Sequence, residues 1–162
     1  MLLTKQKIIL RKIRIVLCGF IVLLVLSGVT AFPIETELSL LMRFRFILPS
    51  PCQHWLTTIY EAVADTNKNY PYLSYGTDWL AFAHLVIAVA FIGPVKDPVK
   101  NIWVIQFGMI ACAMVFPLTF IAGSFRGIPF FWQLIDCSFG FFGFIPLFYC
   151  YKRIRLIEKH NS

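Results

Sequence analysis

Charge is scarce in this sequence. Asp, Glu, Lys and Arg make up 14% of its 162 residues, against 59% hydrophobic residues, and the mean hydropathy is +0.75. A soluble domain carries about 25% charged residues to keep its surface wet, so an ordinary soluble fold is excluded. Histidine is scarcer still, with three residues, of which only His84 falls inside an apolar run. There is no H-E-x-x-H and no histidine cluster, which leaves little to hold a metal. The five cysteines form no C-x-x-C, and only Cys52 lies clearly outside the apolar runs, so a disulfide framework is excluded. The other four read as small buried hydrophobes. No internal repeat and no low-complexity tract occurs.

The apolar residues that remain are gathered into runs. Ile13–Phe32 is 20 residues long, about 30 Å as a helix, which matches the hydrocarbon thickness of a bilayer. Val29-Thr30-Ala31 resembles a signal-peptide cleavage site, but the run is long for such a peptide and Pro33 crowds the cut. It reads as an uncleaved span. Trp79–Val95 is a second, short span ending at Gly93-Pro94, Ile102–Ala122 a third, and Pro129–Tyr151 a fourth. Pro117 and Pro146 predict a bend in the third and a kink or local unwinding in the fourth. These runs describe an all-α polytopic membrane protein, a bundle of four transmembrane helices in a single membrane domain over residues 1–162.

The net charge of +7 does not imply nucleic acid, because the basic residues form no patch interleaved with aromatics. Lys5, Lys7, Arg11 and Lys12 precede the first run and Arg14 lies at its start, Lys96 and Lys100 lie between the second and third, and Lys152, Arg153, Arg155 and Lys159 follow the fourth. Such placement puts both termini in the cytoplasm. A bacterial inner membrane is the expected home. Residues 33–78, whose charges nearly balance, then lie outside. Within them an amphipathic helix is predicted from Pro51 to about Asp65, with His54, Thr58, Glu61 and Asp65 on its wet face, lying at the interface as a cap on the bundle. Asn67–Gly76 is rich in turn formers, and its Tyr70, Tyr72 and Tyr75 suit an aromatic belt.

Asp136 is the residue that fits worst. A carboxylate inside a span costs on the order of 3 kcal/mol by insertion scales and normally faces protein or a wet pocket. Counting down each helix at 1.5 Å per residue puts Asp136 about 10 Å below the outer end of the fourth span and His84 about 7 to 8 Å below that of the second. The expected arrangement is a His84–Asp136 pair between spans two and four. Gln133, one turn above Asp136, Asp78 at the mouth of span two, Arg126 in the loop entering span four and Trp132 are expected around it. The plain alternatives are an interhelical hydrogen bond for His84 and solvated interfacial roles for Asp78 and Arg126.

Three functions fit. The first is an outward-opening pocket for a small amphipathic or lipid-like ligand, walled by Phe130, Phe131, Trp132 and Trp79. A long, slightly acidic connection after span one and Ile145-Pro146 late in span four resemble the layout of the emopamil-binding four-span proteins, a resemblance that assigns no residue a role. The second is a lipid-modifying enzyme with His84 as base, Asp136 orienting it, and Thr77, Ser138 or Thr119 supplying a hydroxyl. The paired-aspartate motifs of aspartyl lipoprotein signal peptidases are not found. The third is a non-catalytic subunit or assembly factor, with Gly108, Ala111, Gly140 and Gly143 making close contacts to a partner. No cofactor is implied, and the expected partners are membrane lipids, with a membrane protein or a second copy of the chain under the third reading.

Overall fold

A computed structural model describes residues 2–161, and their side chains from 6 to 159; the side chain of Lys5 lies outside the described residues. The described chain is all α-helical apart from turns and one 3-10 turn. Its elements are α1 (Leu2–Ala31), α2 (Ile34–Arg43), the 3-10 turn Arg45–Ile47, α3 (Ser50–Asn69), α4 (Pro71–Ala90), α5 (Ile92–Lys96), α6 (Ile102–Phe125) and α7 (Phe130–Asn161). Four helical stretches are long and apolar enough to cross a membrane: Gln6–Ala31, Pro71–Lys96, Ile102–Phe125 and Phe130–Lys159. At 1.5 Å per residue they reach about 36–45 Å, more than the roughly 30 Å of hydrocarbon. No more than 22% of the most apolar window of any of them is buried in protein, and a surface this apolar requires lipid around it.

The expected boundaries need correcting where proline acts. Asn67–Gly76 is not a turn region, because α4 already starts at Pro71, whose fixed φ and missing N–H suit the first position of a helix. The second span is therefore longer than the expected Trp79–Val95. It breaks early, at Ala90, because Pro94 has no N–H to give that carbonyl, and α5 resumes one residue later. Pro117 and Pro146 remove a hydrogen bond in the same way, yet α6 and α7 run through them, so the unwinding expected at Pro146 does not occur. Inside an apolar span the remaining backbone groups have no water to turn to and keep their helical partners.

The chain packs as two compact units. One holds residues up to Leu23 together with those from Ala88 onward; the other is Leu24–Ile87. In the first, α6 and α7 lie antiparallel, as their paired contacts show: Gly123 meets Gln133, Cys112 meets Gly140 and Gly143, and Gly108 meets Leu147. The core of this unit is Ile13, Leu17, Phe91, Ile105, Leu147, Cys150 and Ile154, all fully buried. Phe20 of α1 packs on Phe91, with ring centroids 4.9 Å apart.

Arg14 closes this unit. Its Nε donates to the Val95 carbonyl at 3.0 Å and its guanidinium NH2 to the Lys96 carbonyl at 3.2 Å, so a cation from α1 caps the C-terminal end of α5. The link that follows is pinned by Asn101, whose Nδ2 donates to the Gly93 and Asp97 carbonyls at 3.2 and 2.9 Å. Arg14→Lys keeps the charge but loses the planar two-point contact. We expect it to cost about 1 kcal/mol, since the site is exposed, and Arg14→Ala somewhat more. Thermal unfolding of the detergent-solubilised protein measures both, and an unchanged Arg14→Ala midpoint would dismiss the cap.

In the second unit α2 packs on α3, burying Leu38 and Leu56. Helix α2 is absent from the sequence reading, although it carries ordinary signals: Glu35 and Glu37 in the first turn, Arg43 in the last, and Ile34, Leu38 and Leu41 on one face. Asn67 Nδ2 donates to Glu35 Oε2 at 2.6 Å, and the Ser74 hydroxyl donates to Asn67 Oδ1, tying together α2, α3 and α4. The predicted wet face of α3, His54, Thr58, Glu61 and Asp65, is exposed as expected.

Candidate functional site

Asp136 lies on α7 six residues after Phe130, about 9 Å along the helix. It is half-buried, on the flank of the stripe formed by Gln133, Cys137 and Gly140, all of which are buried. Among the described residues of its unit, the Asp136 carboxylate makes no hydrogen bond and no ion pair.

Gln133 has a partner and a clear task. Helix α6 ends in a Schellman motif: the Ile128 N–H donates to the Gly123 carbonyl at 2.9 Å and the Gly127 N–H to Ser124 at 3.3 Å. Gly127 takes φ +67°, which a side chain would strain. This leaves the Ile128 carbonyl facing α7, where Gln133 Nε2 donates to it at 2.8 Å. Gln133 is thereby committed to the loop, and its side chain fills the space above Gly123. Arg126, in the same loop, is exposed and caps α6 through its backbone N–H to Ala122. Trp132 is half-buried on the first turn of α7, and neighbouring Phe130 stacks on Phe120 with centroids 6.3 Å apart.

His84 belongs to the other unit. Its Nδ1 lies 2.8 Å from the Leu80 carbonyl. A carbonyl only accepts, so Nδ1 carries a proton in this contact. The residue sits where α4 packs against Gly28 of α1: a Cβ on Gly28 would lie 2.8 Å from the Ala81 carbonyl oxygen and 3.1 Å from His84 Cβ. Asp78 is half-buried on α4, one and a half turns before His84.

Gly140 and Gly143, about one and two turns beyond Asp136 on α7, turn to α6, where a Cβ on Gly140 would lie 2.6 Å from the Cys112 carbonyl oxygen and one on Gly143 3.0 Å from Cys112 Sγ. Ala81 and His84 turn to α1. Among the hydroxyls weighed as nucleophiles, Ser138 donates to the Ile135 carbonyl at 2.6 Å and Thr119 is buried. Among the described residues, no three of His, Cys, Asp and Glu stand close enough to hold a metal ion.

No known protein family, curated protein or solved structure matches the chain. The likeness in layout to the emopamil-binding proteins accordingly gains no support from these comparisons.

Proposed function

We propose that this is a multi-pass inner-membrane protein, with both termini in the cytoplasm, that binds a small amphipathic or lipid-like ligand beside Asp136. The orientation rests on the basic residues around α1, α5 and the end of α7. The ligand reading rests on a single observation: a half-buried carboxylate on a membrane-spanning helix that has no hydrogen-bonding partner in its own unit. Polar groups at that depth are retained against their cost where they meet a ligand, a pathway or each other. Gln133, committed to the loop, supports the site by holding the first turns of α7 in place.

Two features favour binding over the alternatives. The Ser138 hydroxyl is engaged with its own helix rather than with a base. Gly108, Gly140 and Gly143 are used up in contacts within the protein, which leaves the exposed Ala111 alone of those four small residues to offer a partner a close approach.

The test is to purify the wild type, Asp136→Asn and His84→Gln from membranes in mild detergent and weigh each by native mass spectrometry. Bound lipid-like mass on the wild type and its loss from Asp136→Asn is the expected result. Equal occupancy in all three would refute the site, and equal occupancy with a lost cellular phenotype would favour catalysis.

A further inference from the structure

The connection between α2 and α3 presents a cluster of large apolar side chains to its surroundings. Phe46 and Ile47, in the 3-10 turn, are 73% and 70% exposed, and Phe44, Leu40 and Leu41 are each more than half exposed. Leu38 is the side chain of α2 that packs inward. Water is a poor neighbour for five such groups side by side. The chain reaches them within about 18 Å of the end of α1, counting 12 residues from Ala31 to Arg43 at helical rise, so the tip stays within reach of the membrane surface.

Part of the backbone of the tip is already satisfied from within. Phe44 N–H donates to Leu41, Ile47 to Phe44 and Leu48 to Arg45, and the Leu48 carbonyl accepts from Gln53 Nε2 at 2.7 Å. Each polar group spent in this way is one fewer to leave unpaired in an apolar medium. The charges complement a phosphate layer: residues 38–60 contain Arg43 and Arg45 and no acid, while Glu35 is held by Asn67 at the far end of α2.

We propose that this turn is a membrane anchor, with Phe44, Phe46 and Ile47 inserted among the acyl chains of the phospholipid leaflet at which α1 ends and Arg43 and Arg45 on the lipid phosphates. Five apolar side chains on a turn are enough to anchor in a leaflet but few for a stable protein interface, which takes about 20–30 residues a side. The anchor holds the α2–α3 hairpin flat on the membrane and is independent of any ligand at Asp136.

The experiment places p-benzoylphenylalanine at position 46 of the full-length protein, reconstituted in vesicles of phosphatidylethanolamine and phosphatidylglycerol. After irradiation, intact mass should show a phospholipid adduct at position 46 and its loss when the same residue replaces Glu61, on the exposed face of α3. A crosslink to another protein or to a second copy, or a chain with no adduct, would overturn the proposal. The same substitution at Ile47 serves if the Phe46 variant does not elute as a folded monodisperse species.

Discussion

Gly140→Ala should lower the stability of the folded protein by about 1–3 kcal/mol, the usual cost of forcing extra volume into a close-packed contact. The new Cβ would lie 2.6 Å from the Cys112 carbonyl oxygen and 3.1 Å from Val115 Cβ. A backbone carbonyl held in a helix cannot rotate away, so α6 and α7 have to separate. Separation also loosens Gly143 against Cys112 Sγ. Two other glycines serve as controls. At Gly108 the obstacles are Phe91 Cζ and Leu147 Cδ1, the ends of side chains that can turn, so Gly108→Ala should cost less. Gly19 has nothing within 4 Å, and there alanine should gain about 0.5–1 kcal/mol from helix propensity alone. Unfolding by titration with sodium dodecyl sulfate from mild detergent ranks the three. If Gly140→Ala is as stable as Gly19→Ala, the close α6–α7 approach is wrong.

Asp136→Leu should do the opposite, raising the stability of the ligand-free protein by about 1–3 kcal/mol while abolishing ligand occupancy. The upper bound is set by the cost of a carboxylate at mid-membrane; Asp136 lies about 9 Å into its helix and pays less than that. A group kept at a stability cost is what a binding site predicts. The same unfolding assay reads the sign. A destabilised Asp136→Leu would mean that the carboxylate is partnered in the folded protein, and coupling to His84→Gln in a double-mutant cycle would identify His84 as that partner and make the pair structural.

Much of the architecture was legible before any coordinates. Four apolar runs with basic flanks are enough to predict four crossings, because only helices satisfy the backbone in lipid and each run is long enough for one. Boundaries were less legible. Pro71 reads in sequence as a turn former and acts as a helix start, and the ten residues of α2 sit in a stretch whose mixed charges mask a short helix. Its signals are Glu35 and Glu37 in the first turn and Arg43 in the last. Around the site, depth along a helix could be counted but facing could not. Gln133, Asp136, Gly140 and Gly143 share one stripe of α7 by spacing alone, yet Gln133 serves the loop and the two glycines serve α6.

Composition and run length by themselves determined that this chain is helical and lives in a membrane, since both follow from the free energy of moving side chains and peptide groups out of water. Which side chain answers which was decided only by the tertiary structure. Gln133 and Asp136 are three residues apart on one helix, similar in size and depth; a loop carbonyl claims the first and nothing in its unit claims the second. That difference comes from the close approach of α6 and α7 and the left-handed turn at Gly127, long-range geometry that no local pattern encodes.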